Sequence, residues 1–202
     1  MKRLFAVLVL LAVLSAEALD SQARWIWRKG GADNGEVLYV RHIMTLDAVP
    51  DGGFIHVVGD DSAVIYLNGE MQFSCGFGTR KVDIKKLKAG ANTLAARIRN
   101  DIGGAGLLVY GELQVGGKKL IVKTDKTWKV RRSTMISEGW EKLGFDDSKW
   151  ENAVELRGVT DQHVWRNLIK LSDFLSAEEF QEVEAERIRG ARDRSSRRHN
   201  LL

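Results

Sequence analysis

Cysteine and proline each occur once in the 202 residues, as Cys75 and Pro50. A single cysteine excludes an internal disulfide bond, so the fold must be stabilised by a hydrophobic core, in which we expect Cys75 to be buried. The scarcity of proline leaves β-strands able to donate backbone hydrogen bonds along their whole length. These two absences favour a core made of many packed strands.

The chain also has no large excess of one charge. It contains 31 lysine and arginine residues and 27 acidic residues, which gives a net charge of +4. Such a mild balance predicts no specific nucleic-acid partner. Four scattered histidines and one cysteine give a zinc site little support. The chain has no GxSxG motif and no glycine-rich loop that opens a helix, so the usual signatures of serine hydrolases and phosphate-binding domains are absent.

A long hydrophobic run occurs only at the N-terminus. Lys2 and Arg3 precede an apolar run over residues 5–14, and residues 16–18 form a small-x-small pattern before a cleavage point. The run is shorter than the roughly 20 apolar residues that span a bilayer. The pattern predicts a secretory signal peptide over residues 1–18, a secreted or periplasmic protein, and no membrane span after cleavage. An uncleaved N-terminal anchor is the alternative.

Residues 24–131 alternate between short apolar runs and turn residues, without helical periodicity. The clearest example is residues 59–70, where turn formers precede an apolar strand and Asn68-Gly69 signals a type I′ hairpin. Both faces of residues 36–46 are largely apolar, which predicts a strand in the centre of a sheet. About ten such strands at regular spacing predict an all-β antiparallel sandwich or jelly roll.

Residues 136–159 are less regular and contain Trp140 and Trp150 within polar turns. We expect loops here that are pinned onto the sandwich by the two aromatic side chains.

The C-terminal part of the chain changes to helical periodicity and high charge. Ser176 and Glu179 form a capping box, in which the hydroxyl and the carboxylate satisfy backbone amides at the start of a helix. Gly190 is interpreted as the end of this helix, before an arginine-rich tail that reaches His199. The segment is either a surface helix with a solvated end or an electrostatic tether to an anionic polymer or a membrane.

A series of motifs stands in order between residues 24 and 159: Trp25-Ile26-Trp27, DDSAVIYLNGE, LKAGANTLAARIRN, residues 104–108, TDKTWKV and FDDSKWENA. Their order and spacing resemble galactose-binding-like jelly-roll domains. Similar domains are the accessory β-sandwiches of bacterial α-L-rhamnosidases and the sugar-binding domains of β-galactosidase-type glycoside hydrolases.

The resemblance implies a non-catalytic carbohydrate-binding or accessory module of a secreted protein that handles polysaccharides. It divides the chain into a signal peptide (residues 1–18), a galactose-binding-like β-sandwich (residues 24–159) and a linker, amphipathic helix and basic tail (residues 160–202). The roughly 40 residues after the sandwich are too few for a hydrolase domain, so a glycoside hydrolase fragment is the less favoured reading. The other alternative is a module that docks onto a protein partner through residues 172–202.

In such domains the TDxxW and FDDSxW motifs are mainly structural. The resemblance implies that Asp125 caps a turn before Trp128, and that Asp146 or Asp147 caps a turn before Trp150. A glycosidase needs two carboxylates about 5–10 Å apart. Adjacent aspartate pairs at turns, such as residues 60–61 and 146–147, are more often caps than catalysts.

Carbohydrate binding requires an aromatic face for the sugar ring and planar polar side chains for its hydroxyls. Loop residues of these types are Phe77, Arg80, Asn100, Asp101 and Trp140. For Phe77 and Trp140, a role as core anchors is the alternative.

A structural calcium ion is a further expectation, because sandwiches of this type often hold one at a loop cluster. The candidate carboxylate ligands are Asp60, Asp61, Asp101 and Asp125, whose spacing is not diagnostic.

Overall fold

The computed structural model describes residues 22–76, 78–161 and 164–199. The predicted signal peptide at residues 1–18 and the candidate ligand residue Phe77 lie outside the described residues. The chain divides into two compact units. Ala23–Phe174 forms the larger unit, and the described residues from Leu175 onward belong to the other.

The described residues contain twelve β-strands in two antiparallel sheets of six strands each. Sheet 1 consists of β1 (Arg24–Trp27), β3 (Gly52–Asp60), β6 (Arg80–Lys81), β8 (Gly106–Val115), β9 (Lys118–Lys123) and β12 (Val154–Gly158). Sheet 2 consists of β2 (Val37–Leu46), β4 (Ser62–Leu67), β5 (Glu70–Cys75), β7 (Gly90–Arg99), β10 (Lys129–Arg132) and β11 (Glu151–Asn152). The strand orders are β12-β1-β8-β3-β6, with β9 also paired to β8, and β11-β10-β2-β7-β4-β5. The predicted all-β antiparallel sandwich is confirmed.

The hydrophobic core lies between the sheets, because alternate residues of each strand face inward. On β2, Leu38, Val40, Met44 and Leu46 share one face and are all buried in this core. The central position of β2 is also confirmed, since it pairs with β10 on one side and with β7 on the other. Cys75 lies in the same core, as expected.

The β4–β5 hairpin turns at Asn68 and Gly69, which have φ values of 53° and 86°. A type I′ turn requires positive φ at both positions, so the predicted hairpin is confirmed. The Asn68 side chain also donates to Asn92 Oδ1 at 2.9 Å and accepts from the Thr93 amide at 2.9 Å. These bonds fix the hairpin against the beginning of β7.

Both outer faces of the sandwich are covered by chain that follows β10. Residues 133–150, here named the tryptophan loop, cover sheet 2 and bring Trp140 and Trp150 into a second apolar cluster with Tyr39 and Ala95. The predicted pinning by these two tryptophans is therefore confirmed. Residues 159–161 and 164–174, here named the strap, cover sheet 1, where Trp165 stacks on Trp25 at 4.7 Å. Except for residue 159, the strap lies within the segment that was predicted to begin with a linker.

Two strands were not predicted, β11 and β12, which occupy a region expected to form loops. Four of the five residues of β12 are exposed, so the sequence carries no alternation there. The strand forms because its backbone pairs with β1, with Arg24 opposite Gly158 and Trp27 opposite Val154.

A helix, α1, spans Ala177–His199. Its capping box is confirmed, because the Glu179 amide donates to Ser176 Oγ at 3.1 Å and the Ser176 amide donates to Glu179 Oε2 at 2.8 Å. The prediction that Gly190 ends the helix is wrong. One interior glycine costs about 1 kcal/mol, which the surrounding helix-favouring alanine, glutamate and arginine residues offset. In the described part of the chain, no helix is long and apolar enough to cross a membrane.

Gly53 provides a test of the register between β3 and β8. It has φ of 123°, and a Cβ there would overlap the Glu112 carbonyl oxygen and lie 2.8 Å from Leu113 Cα. We expect Gly53→Ala to lower the free energy of unfolding by about 1–3 kcal/mol or more, measured by urea denaturation. The control is Gly52→Ala, where the added Cβ meets open space and the change should stay within about 0.5 kcal/mol. Equal effects at both positions would contradict this register.

Candidate ligand-binding sites

Arg41 is a fully buried charge that holds the tryptophan loop against the outer face of sheet 2. Its Nε donates to Asp147 Oδ2 at 2.9 Å, and its Nη1 donates to the carbonyl oxygens of Trp140 and Lys142. The guanidinium also lies over the Phe145 ring, 5.2 Å from its centroid. Because a buried guanidinium without such partners is strongly unfavourable, these contacts determine the course of the loop.

Trp140 lies at the centre of the aromatic residues beneath this loop. Its ring is 4.9 Å from Tyr39, 5.4 Å from Tyr66 and 6.4 Å from Trp150, centroid to centroid. With 7% of its surface exposed, Trp140 has no open face for a sugar ring. The structure therefore places Trp140 as a core anchor, the alternative left open by the sequence.

Beside these aromatic residues, β10 and the tryptophan loop border a cavity of about 270 Å³, here named the loop cavity. It is lined by Arg131, Met135, Ile136, Ser137, Phe145, Asp146, Lys149 and Trp150. Phe145 is half-buried and forms the aromatic wall of the cavity. Trp150 meets Phe145 edge to face at 5.8 Å and supports this wall, but with 5% of its own surface exposed it offers no open face to a ligand. The volume lies just below the usual range for small-molecule sites, roughly 300–1,000 Å³, and suits a ligand of about one sugar ring.

The lining of the loop cavity carries two positive charges and one negative charge. Arg131 is paired in register with Tyr39, a residue of the outer face of sheet 2, and so lies on the loop side of the sheet. Hydrogen bonds from the side chain and backbone of Ser148 lower the pKa of Asp146, and the charge of Lys149 acts in the same direction. Asp146 is therefore an ionised acceptor at neutral pH.

A second polar surface, here named the three-loop cluster, forms where the loops after β1, β3 and β7 meet. Asp61 Oδ2 accepts from the Asp101 amide at 2.7 Å. Asn100 is buried and donates through Nδ2 to the carbonyl oxygens of Asp33 at 3.0 Å and Gly103 at 3.3 Å. Asn100 thus joins the first and third loops.

The structure does not gather the five predicted ligand residues into one site. Asn100 and Asp101 belong to the three-loop cluster, whereas Trp140 lies under the tryptophan loop. Arg80 is exposed on β6 at the edge of sheet 1.

Burial raises the pKa of the Cys75 thiol, and the charge of Arg80 partly offsets this effect.

Asp60, at the end of β3, fastens the strap to sheet 1. Its Oδ2 accepts from Trp165 Nε1 at 2.5 Å, and its carboxylate is buried. Burial raises the pKa of Asp60, the indole hydrogen bond partly offsets this rise, and the neighbouring Asp61 adds to it. Further along the strap, the carbonyl oxygen of Asp173 lies 2.7 Å from Nδ1 of His56 on β3.

The four candidate calcium ligands all have other partners. Asp60 accepts from Trp165, Asp61 from loop amides, and Asp101 Oδ1 from Arg99 Nε at 2.7 Å. Asp125 Oδ1 accepts from the Thr127 amide at 2.8 Å. Within the described ranges, no group of three or more histidine, cysteine, aspartate or glutamate side chains is arranged to hold a metal ion. Calcium binding stays a prediction.

The structural roles implied for the two tryptophan motifs are observed. The Trp128 amide donates to the Asp125 carbonyl oxygen at 3.3 Å, and the Trp150 amide to the Asp147 carbonyl oxygen at 2.9 Å. Each aspartate therefore closes a turn directly before its tryptophan.

Sequence reasoning missed the loop cavity as a candidate site. Arg131, Ile136 and Lys149 were not among the candidate residues, although they line it. The one local signal was FDDSKWENA, which places charged and aromatic residues side by side and was interpreted as structural. Asp147 and Trp150 do have structural roles, but their neighbours Asp146 and Lys149 line the cavity.

No protein-family model matches the chain, and no curated protein matches it. Similar solved structures include an α-L-rhamnosidase of Streptomyces avermitilis in complex with L-rhamnose (TM-score 0.61, 20% identity, 66% of this chain and 14% of that chain). A lectin of Pleurotus ostreatus in complex with GalNAc is also similar (TM-score 0.62, 21% identity, 72% of this chain and 46% of that chain). So is a rhamnosidase of Bacillus sp. GL1 (TM-score 0.60, 21% identity, 69% of this chain and 19% of that chain).

These likenesses concern the fold. The chain spans less than half the length of each of the three proteins. Together with the two antiparallel sheets, they confirm the predicted galactose-binding-like β-sandwich.

Replacement of Arg41 tests its role in holding the tryptophan loop. Arg41→Met keeps most of the side-chain volume but leaves Asp147 and two carbonyl groups without their donor, so we expect the free energy of unfolding to fall by about 3–5 kcal/mol. The control is Arg99→Met, which breaks an exposed ion pair with Asp101 and should cost less than about 1 kcal/mol. Chemical denaturation measures both. A similar small loss in the two variants would contradict the proposed role of Arg41.

Replacement of Asp60 tests the attachment of the strap. Because the pKa of Asp60 is raised in the folded state, the stability it contributes is full below the usual carboxyl pKa and is lost as pH rises through the raised pKa. Asp60→Asn keeps an acceptor for the indole and cannot ionise. We expect this variant to be more stable than the native protein at pH 7 and equally stable near pH 3, as measured by thermal unfolding.

The comparison variant is Asp60→Leu, which removes the acceptor and should be less stable than Asp60→Asn at both pH values. A native protein more stable than Asp60→Asn at pH 7 would show that the fold favours the ionised carboxylate, which would contradict a raised pKa for Asp60.

Proposed function

We propose that this protein is an exported, non-catalytic carbohydrate-binding module that holds one sugar residue in the loop cavity. The observation that carries the proposal is the cavity itself, whose lining combines the half-buried aromatic ring of Phe145 with charged and hydroxyl groups. The apolar face of a sugar ring packs on aromatic side chains, and its hydroxyls bond to polar groups around the rim.

The fold supports this proposal by analogy. Two of the similar structures, a rhamnosidase and a lectin, were solved with L-rhamnose and GalNAc respectively. A fold hosts many functions, so the specific argument rests on the residues of the cavity rather than on the resemblance. The signal peptide predicted for residues 1–18 supports export.

A non-catalytic role is supported by the places of the adjacent aspartates. Asp60 accepts from Trp165, Asp61 from loop amides, and Asp147 from Arg41. Asp146 lines the loop cavity without a second carboxylate in that lining. A glycosidase needs two carboxylates available to the substrate about 5–10 Å apart, whereas Asp60, Asp61 and Asp147 fasten segments of the fold.

The three-loop cluster, with Asn100 and Asp101, and the nearby edge strand with Arg80 are the alternative place for a sugar. We favour the loop cavity because the Asn100 side chain is buried and its amide nitrogen already donates to two carbonyl groups. The cavity, in contrast, combines an aromatic wall with charged side chains at one concave place.

A cavity-blocking variant tests the proposal. The purified protein is screened on a glycan array, with calcium and with a chelator, and the affinity for the bound glycan is measured by calorimetry. Ser137→Tyr places a ring at the exposed rim of the cavity, and we expect it to weaken binding at least tenfold, since about 1.4 kcal/mol of lost contact has this effect.

The control is Ser74→Tyr, the same change at an exposed position of β5, which should leave binding unchanged. Equal thermal stability of both variants excludes unfolding as the cause. The absence of any bound glycan would overturn the proposed function, and binding that survives Ser137→Tyr would move the site to the three-loop cluster.

A further inference from the structure

The loop cavity is lined by an arginine side chain that makes no contact stabilising the described part of the fold. Among the described residues, the side chain of Arg131 makes no ion pair or hydrogen bond. Three of the other four arginines of sheet 2 are in ion pairs: Arg41 with Asp147 at 2.9 Å, Arg99 with Asp101 at 2.7 Å, and Arg132 with Asp33 at 2.6 Å. Arg131 is thus available to a ligand at the place where it lines the cavity.

Lys149 adds a second positive charge to the lining of the cavity. Its charge acts on Asp146, but no ion pair within 4.0 Å joins it to a described acidic residue. Asp146 cannot neutralise both cations, because it is a single carboxylate whose Oδ1 already accepts the Ser148 amide at 3.0 Å. The lining therefore has a net positive charge.

The arrangement of these groups matches a sugar that carries its own negative charge. A guanidinium presents parallel N–H donors that match the two oxygens of a carboxylate. The ionised Asp146 is an acceptor for ring hydroxyls, and it disfavours a second negative group on its side of the cavity. Phe145 supplies the aromatic surface on which the ring would pack, and Trp150 holds Phe145 in place by an edge-to-face contact.

We propose that the loop cavity selects a hexuronate, a sugar residue with a carboxylate group, and that Arg131 recognises this carboxylate. The inference rests on the proposed function, because it names the class of sugar taken by the same cavity. Lys149 contributes attraction at longer range, and Asp146 orients the ring through its hydroxyls.

Matched pairs of ligands separate this inference from the proposed function. Methyl glucuronide is compared with methyl glucoside, and methyl galacturonide with methyl galactoside, by calorimetry and ligand-observed NMR at low and physiological salt. We expect at least one uronide to bind tenfold or more tightly than its neutral partner. This advantage should shrink as the salt concentration rises, since it is electrostatic.

Arg131→Gln should remove the advantage and leave the uronide with the affinity of the neutral sugar. The control is Arg157→Gln, which makes the same change of charge at an exposed position of β12 in sheet 1 and should keep the advantage. Equal thermal stability of the two variants, measured in parallel, shows that the loss at Arg131 is not due to unfolding.

The other outcomes are distinct. Equal binding of acidic and neutral sugars, unchanged in Arg131→Gln, would overturn the selection of a hexuronate and leave the carbohydrate-binding function standing. Tighter binding of a sulfated sugar than of either uronide would overturn the carboxylate as the recognised group. Binding of none of these sugars, with a blank glycan array, would overturn both.

Discussion

A buried guanidinium is the constraint on which the outer face of sheet 2 depends. Arg41 lies in the middle of a largely apolar strand and points away from the core, so it must find acceptors outside the sheet. The chain supplies them 99 to 106 residues later, at Trp140 and Asp147. With these contacts formed, Phe145 is placed over the guanidinium, and the loop cavity has its aromatic wall and rim in fixed positions. Such preorganisation lowers the entropy lost when a small ligand binds.

The segments that cover the two outer faces of the sandwich are held by different interactions. On sheet 2, an arginine of the strand binds a carboxylate and carbonyl groups of the tryptophan loop. On sheet 1, a carboxylate at the end of β3 accepts an indole N–H from the strap, and the same indole stacks on Trp25. The first arrangement holds a loop that leaves a cavity beside it. In the second, Trp165 stacks on Trp25 at 4.7 Å, and Trp25 packs so closely on the sheet that a Cβ at Gly106 would lie 2.8 Å from its ring.

The sequence predicted those parts of the fold that depend on neighbours in the chain. The Asn68-Gly69 hairpin follows from local backbone preferences, and the two faces of β2 follow from alternation. The helix end at Gly190 was wrong because a single glycine was weighed without the strong helix formers on both sides. The loop cavity could not be predicted, because the tryptophan loop is held beside β10 by the contact of Arg41 with Asp147. Nothing in the local sequence around Arg41 identifies a partner 106 residues away. For the same reason Asn100 was expected to face a ligand, whereas its amide joins two loops.

The central claim is that a sugar binds beside Trp150, and fluorine NMR of protein labelled with 5-fluorotryptophan tests it most directly. The six tryptophans give separate probes of the two faces, with Trp140 and Trp150 on sheet 2 and Trp25 and Trp165 on sheet 1. During titration with a hexuronate, we expect a saturable shift of the Trp150 signal, a smaller one for Trp140, and none for Trp25 or Trp165. A shift confined to Trp25 and Trp165, or no shift at saturating sugar, would contradict the claim.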